Sequence, residues 1–480
     1  MMHWVSFYLV YVSIGWAIRI GMVPVILRRQ MAPGASFAWL AIIYFHPYIG
    51  LGLYMLVGES RLGPRRAAKH REIISRFRDP QRHPDRRQHE TQPQPDPPYR
   101  PVVLEAEKIC GLPVLGGNSV DFQPDAKLFV DGLIAEIAAA RSTVHLLYYI
   151  FSLDQTGQRV AQAVVDAARR GVKCRVLADA LASRAFFRHG ALAGELRAAG
   201  VEVAAALPVA PIRREFARMD LRNHRKLSII DDQVAWIGSG NLINPDYGGR
   251  RGNPWYDVTA RCRGPVVGEL AMVFAEDWAF ETGQDIALPS AQWMQSAADV
   301  LAQAVPTGPS SPNTTYRRLL LAAIQSSRQQ LIITTPYFVP DEPTILSLVM
   351  AADRNVDVKL ILPQNPDHLF TAAAGRAHFG QLLDAGVSIH LYRPGLIHAK
   401  TTTVDDAFCL FGSANLDVRS FNLNFELTLM LYGQEVTHRL RAIQKSYLAD
   451  SLRVEAAQWA ARPIIGQYAD RAVSLMSPLL

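Results

Sequence analysis

Two stretches of this chain carry the same reactive residue types at the same offsets. His224, Lys226, Asp231, Gly238, Ser239 and Asn241 recur as His398, Lys400, Asp405, Gly412, Ser413 and Asn415, about 170 residues further on. A lone His-x-Lys says little, but six matched positions occurring twice mark a duplicated functional unit. The types suit proton and anion chemistry. An imidazole attacks or carries a proton near neutral pH, and an ammonium beside it holds negative charge.

Side chains alternate across a strand, so His224 and Lys226 share a face, as do His398 and Lys400. Asp231 and Asp405 lie seven residues past their His, on the opposite face of a regular strand. Each opens an Asp-Asp pair before a second apolar run (Val-Ala-Trp-Ile, Phe-Cys-Leu-Phe), which predicts a hairpin turn that the Asp fixes. The second strand ends in Gly-Ser-x-Asn and returns hydroxyl and amide groups towards the His and Lys. A nucleophilic imidazole also needs a partner at its other ring nitrogen. Asp257 (Trp-Tyr-Asp) and Glu426 (Asn-Phe-Glu) are the candidates, because a carboxylate in an apolar strand needs a buried partner. Tyr148, Tyr149, Tyr337 and Arg419 are candidates for the pocket wall.

The doubled pattern resembles the phospholipase D superfamily, whose His-x-Lys-x4-Asp motif comes in pairs. Flanking segments are similar to the bacterial cardiolipin synthase family: Arg222-Asn223-His224-Arg225-Lys226, Thr335-Pro336-Tyr337-Phe338-Val339-Pro340-Asp341, the run Asn415 to Glu426, and Val144 to Phe151. The resemblance covers nearly the whole chain, with 71–100 as the main unmatched stretch. It implies an α/β fold of two duplicated phospholipase D-like α/β/α sandwich domains sharing one active site about a pseudo-twofold axis. It places His224, Lys226, Asp231, His398, Lys400 and Asp405 in the catalytic motifs. It also implies a phosphohistidine intermediate on His224, with His398 as general acid and then base.

Physical chemistry says why such a motif should be doubled. A phosphodiester repels nucleophiles, so its cleavage needs positive charge and hydrogen-bond donors, a nucleophile, and an acid for the leaving oxygen. One imidazole cannot be nucleophile and acid in the same step. Lys226, Lys400, Ser239, Ser413, Asn241 and Asn415 are the groups expected on the phosphate oxygens. The activity implied is transfer between two phosphatidylglycerol molecules, giving cardiolipin and glycerol. The rival readings are a hydrolytic phospholipase D, a membrane-bound phosphodiesterase or nuclease, and a lipid-binding scaffold with a dead site.

The remaining sequence must position these groups and bring them to lipid. A formal net charge of +7 over 480 residues suits an anionic partner. Phosphatidylglycerol, other anionic phospholipids and the membrane are the partners expected, with no nucleic acid. Cys110, Cys174, Cys262 and Cys409 form no ligand spacing. The His and Asp residues form no metal-ligand cluster, and the motif Lys would oppose a cation, so neither metal nor cofactor is expected. Trp4 to Ile18, continued with Arg19 as its only charge up to Arg28, and Gln30 to Gly58 are apolar runs, each long enough to cross a hydrocarbon core. They predict a helical hairpin at 1–60 with a kink at His46-Pro47 and with Arg19 snorkelling or facing its partner helix.

The loop between these runs offers Arg28 and Arg29, and the segment after them offers Arg61, Arg65, Arg66, Lys69, Arg71 and Arg76. By the positive-inside rule the larger set places the globular part in the cytoplasm, on a multi-pass protein of the bacterial inner membrane. Residues 61–104 read as a basic linker, with 71–100 a flexible Pro-rich tether (Gln92-Pro93-Gln94-Pro95-Asp96-Pro97-Pro98). Helices alternating with strands then predict two similar domains, 105–300 and 310–480, with Val305 to Pro312 as connector.

Overall fold

The computed structural model describes residues 2–29, 33–58, 62–79, 81, 83–91, 93, 99–188, 192–208, 220–246, 254–288, 298–310 and 316–475. The expectations on Gln30, Arg61, Gln92, the run 94–98 and residues 311–312 fall outside these. The chain divides into a smaller unit, 1–64 with 210–221, and a larger one, 65–209 with 222–480.

In the smaller unit the first apolar run is one helix, Met2–Leu27, long enough to span a bilayer between Trp4 and Leu27. The second run differs from expectation. It breaks at His46-Pro47 into helices Pro33–Phe45 and Pro47–Val57. The proline ring has no N–H to continue the first helix, and thirteen residues reach only about 20 Å against a core of roughly 30 Å. The expected second full span is therefore replaced by two short helices. Ile26, Ile43 and Tyr54 bury against one another. Arg19 faces its partner helix, donating from Nε to the Tyr44 carbonyl at 2.8 Å.

Among the described residues, the larger unit is built on one sheet of fifteen strands. The first half contributes β1 (Leu115–Gln123), β2 (Thr143–Tyr148), β3 (Lys173–Asp179), β4 (Glu202–Ala206), β5 (Lys226–Ile230), β6 (Val234–Gly238) and β8 (Thr259–Arg263), with the two-residue β7 (Trp255–Tyr256) set apart. The second half contributes β9 (Val300–Thr307), β10 (Gln330–Thr334), β12 (Asp357–Pro363), β13 (Ser388–Tyr392), β15 (Thr401–Val404), β16 (Phe408–Gly412), β18 (Glu426–Tyr432) and the edge strand β19 (Ser451–Arg453). Short β11 (Phe338–Val339), β14 (Leu396–Ile397) and β17 (Leu416–Asp417) lie outside the main sheet.

Outward from the junction of β1 and β9, the halves run β1-β8-β6-β5-β2-β3-β4 and β9-β18-β16-β15-β10-β12-β13. Corresponding strands occupy corresponding places, which is the duplication expressed as topology. The helices Ala126–Ala139, Gln155–Arg169, Tyr316–Ser326 and Glu342–Asp353 alternate with the strands, as the sequence predicts.

Two segments depart from the sequence reading. Val305 to Thr307, expected in a connector, complete β9 and pair with Thr428, Leu427 and Glu426. The basic linker contains the helix Pro64–Phe77, which turns Ala67, His70, Ile73 and Phe77 inward at helical spacing. Its cations meet carboxylates: Arg66 reaches Glu281 at 3.1 Å, Arg76 reaches Asp285 at 2.7 Å, and the following Arg78 reaches Glu276 at 2.6 Å. The tether also holds the short helical turn Pro84–His89, and the helix Arg100–Cys110 follows it.

These carboxylates belong to or follow the helix Val266–Thr282, which is buried on every side from Val266 to Phe280. It lies at the centre of the unit, as a helix apolar around most of its circumference must.

Candidate active site

Alternation along the motif strand sends neighbouring side chains to opposite duties. Asn223 and Arg225 turn back to the central helix, donating to Asp277 at 2.9 and 2.6 Å. Arg225 also donates to the carbonyls of Thr307 and Glu426, at 3.2 and 3.0 Å, so it ties the two halves together beside His224. His224, on the other face, lines a cavity of about 520 Å³. So do His398, Asn241 and Asn415, and the same space is thus walled by both copies of the motif.

The halves exchange their carboxylates. Asn223, just before His224, bridges to Phe425, just before Glu426. Leu396 and Ile397 of β14, just before His398, pair with Trp255 and Tyr256 of β7, just before Asp257. The His224 N–H donates to the Phe425 carbonyl at 2.9 Å, and the His398 N–H to the Tyr256 carbonyl at 2.8 Å. This parallel pairing puts each carboxylate on the imidazole of the opposite half. His224 Nδ1 lies 3.0 and 3.1 Å from the Glu426 oxygens, and His398 Nδ1 lies 2.6 Å from Asp257 Oδ1. Tyr149 packs edge-on against the His224 ring at 4.7 Å between centroids, and Trp255 packs against His398 at 4.5 Å.

The two pairs differ in how the carboxylate is shared. Glu426 takes further hydrogen bonds from Ser413 (2.6 Å), Ser420 (2.9 Å) and Asn424 (3.2 Å). Burial alone would raise its pKa, but His224, Lys226 and Ser413 together hold it below the usual carboxylate range. For Asp257 the same burial is outweighed by His398, Lys400 and Ser239, which hold it far below that range. Burial pushes His224 down to about 4 against the pull of Glu426, and lowers His398 likewise.

Lys226 and Lys400 sit behind the imidazoles. Lys226 Nζ donates to the His224 carbonyl at 2.6 Å, and Lys400 Nζ does the same to the His398 carbonyl. Burial lowers both ammonium groups, Lys400 to about 8, and each adds its like charge against the other's imidazole.

Ser239 and Ser413 do not line the cavity, contrary to their expected place on the phosphate. Their hydroxyls are used at the carboxylate strands: Ser239 with the backbone of Val258, Ser413 with Glu426 and the Leu427 N–H. Asn241 does line it, while its Oδ1 accepts from the Ile150 N–H at 3.2 Å.

Asp231 and Asp405 lie at the far end of the motif strands, away from the cavity. Asp231 accepts from the N–H groups of Arg141, Ser142 and Thr143 at 2.7–3.1 Å, and Asp405 from those of Arg328, Gln329 and Gln330 at 2.7–2.9 Å. Both have positive φ (53° and 47°), as a tight hairpin demands and as Asp tolerates. Their place in the catalytic motif is one of spacing, and their contacts are those of turn anchors. Tyr149, Tyr337 and Arg419 line the cavity. Tyr148 points the other way, its hydroxyl 2.7 Å from Ser228 in the core.

The sequence reading did not single out Arg222, Trp255, Asp367 or His368, all of which line the cavity. Arg222 and Trp255 are legible in hindsight as immediate neighbours of the motif and of Asp257. Asp367 and His368 follow β12 and have no counterpart in the duplicated pattern. Among the described residues, no three His, Cys, Asp or Glu side chains converge as a cation site.

A family model described as "Cardiolipin synthase, PLD-like domain" matches residues 133–278 and 320–447. The chain is 34% identical over 471 residues to cardiolipin synthase A of Escherichia coli. It is 35% identical over 471 residues to that of Salmonella arizonae. Each match covers 97% of this chain and 97% of the relative. Among solved structures, the phosphatidylserine synthase of Haemophilus influenzae superposes with a TM-score of 0.61 at 15% identity, over 79% of this chain and 100% of that one. That likeness is one of fold.

Proposed function

The chain belongs to the cardiolipin synthase family of phospholipase D-like proteins, and we propose that it transfers a phosphatidyl group between two phosphatidylglycerol molecules, giving cardiolipin and glycerol. The observation that carries this reading is the cavity walled by both His224 and His398, each backed by a carboxylate from the opposite half.

The first step is in-line attack by His224. Glu426 holds the proton on Nδ1, which leaves the Nε2 lone pair free, and burial keeps the ring neutral. Nε2 bonds to the phosphorus of the first phosphatidylglycerol as the bond from phosphorus to the glycerol oxygen breaks. His398 gives its Nε2 proton to that oxygen, and glycerol departs. Asp257 favours the imidazolium that this role requires, because its charge is shared less widely than that of Glu426. In the second step His398 takes the proton from the headgroup hydroxyl of another phosphatidylglycerol. That oxygen bonds to phosphorus, the phosphorus–nitrogen bond breaks, and His224 is restored. Proton transfer of this kind is worth about 10²–10⁴-fold in rate. Lys226, Lys400, Asn241 and Asn415, with Arg222 and Arg419 on the wall, supply the positive field and donors for the phosphate. Ser239 and Ser413 act through the carboxylate strands.

A membrane-associated protein of this kind meets both substrates in the bilayer. The reading places it in the bacterial inner membrane with the larger unit in the cytoplasm, on the basic residues that flank the apolar helices. In this topology Met2–Leu27 spans, and the two shorter helices form the returning arm.

Incubating the purified full-length protein with phosphatidylglycerol vesicles and identifying products by mass spectrometry tests the reading. Cardiolipin and glycerol in equal amounts support it. Phosphatidic acid as the main product makes the protein a hydrolase, and no product makes it a binding scaffold.

A further inference from the structure

The cavity is symmetric in its imidazoles and asymmetric around them. On the side of the first half, β3 ends at Asp179, two strands from the motif strand β5. That carboxylate is fully occupied: it accepts from the N–H groups of Leu181, Ala182 and Asn223 at 2.9–3.1 Å and lies 4.0 Å from Arg222. On the side of the second half, β12 stands two strands from β15, and the chain after it carries Asp367 into the cavity. The Tyr337 hydroxyl donates to Asp367 Oδ2 at 2.8 Å. Asp367 Oδ1 is buried and takes no hydrogen bond from any described residue. His368 Nε2 lies 3.6 Å from the same carboxylate, its ring 5.5 Å from that of Tyr337. All three residues line the cavity that holds both motif histidines.

We propose that Asp367, Tyr337 and His368 form the subsite for the polyol headgroup, binding the glycerol of the phosphatidylglycerol. The inference rests on the transfer reading above and names the part of the substrate this corner takes. A carboxylate repels the phosphate, so the phosphoryl group goes to the lysines and arginines and the neutral part of the headgroup goes here. A vicinal diol has two O–H donors with the bite of one carboxylate, and bonds to a charged acceptor are the stronger kind. The subsite belongs to the half that carries His398, and Asp367 acts on Lys400 behind that imidazole, which protonates the departing glycerol and deprotonates the arriving one. One polyol site serves both steps: the departing glycerol offers it both free hydroxyls, and the arriving headgroup offers it the one beside the attacking oxygen. It also distinguishes an alcohol from water, since water cannot span Asp367 while its oxygen is at phosphorus.

The test supplies phosphatidylglycerol as donor and equimolar 1,2-propanediol and 1-propanol as competing acceptors, and reads the ratio of the two new phosphatidyl alcohols by mass spectrometry. The wild-type protein is expected to favour the diol about tenfold, the discrimination of one charge-assisted hydrogen bond. Asp367→Asn and His368→Ala are expected to bring that ratio towards one and to raise the share of phosphatidic acid. The ratio is internal to each sample, so partial loss of folded protein does not move it, and a merely structural Asp367 would leave it unchanged. Equal use of both alcohols by the wild-type protein overturns the proposal without any variant, and so does a diol preference that survives Asp367→Asn. No transfer to any alcohol from the wild-type protein defeats instead the reading it rests on.

Discussion

Burial sets the chemistry of single residues here. Two histidines on the cavity wall and the two lysines behind them are buried together, and desolvation lowers all four. The consequence is a pH dependence unlike that of solvated groups. Raising the pH removes the proton of Lys400 near 8 rather than at the ordinary 10.5, and the attraction for phosphate goes with it. Lowering the pH leaves His224 unprotonated down to about 4. The first step needs His398 protonated and burial lowers it, so kcat/KM, which reports the free enzyme, should already decline across neutrality and fall more steeply above about pH 8 as Lys400 is lost. Lys400→Arg should move that alkaline limb upward. Initial rates on mixed micelles from pH 5 to 10 check this, and a plateau persisting to pH 10 contradicts it. At this scale the repeated His, Lys and Asn were legible because duplication exposes spacing. Asp257 and Glu426 were legible as buried acids needing partners. That each serves the opposite half was not, because that depends on the β7–β14 pairing and the Asn223–Phe425 bridge between distant segments.

At the level of elements, the motif is a hairpin whose far end is tied to the strand behind it. Asp231 anchors the turn to Arg141, Ser142 and Thr143, and Asp405 anchors the other to Arg328, Gln329 and Gln330. Asp231→Ala removes these acceptors and leaves an alanine in a left-handed conformation, a loss of about 2 kcal/mol. It should lower the melting temperature while the remaining folded protein turns over within a few-fold of the wild-type rate. A loss as deep as that from His224→Ala, in protein still folded by circular dichroism, contradicts the turn-anchor role. Strand parity made this division visible in advance, since seven residues past His224 is the opposite face. The helix Pro64–Phe77 was less legible. Its dense basic residues read as a solvated tether until the carboxylates of the distant helix Val266–Thr282 are seen to meet them. β9 was hidden for a related reason: a short run containing Pro306 resembles a connector, and only pairing with β18 makes it a strand.

The whole larger unit is one duplication closed on itself. The sheet runs unbroken from one half to the other through β1 and β9, and the exchanged carboxylates, with Arg225 between them, make either half incomplete alone. Alternation of helices and strands announced two similar halves, and the paired motifs announced a shared site. The exchange of carboxylates across the pseudo-twofold axis emerges only in three dimensions. The most direct test is the rate of cardiolipin formation by full-length His224→Ala and His398→Ala proteins, each assayed alone. One site built from both halves predicts that either substitution lowers the rate by at least about 10²-fold. Retention of about half the wild-type rate by either variant would mean two independent sites and would contradict the account.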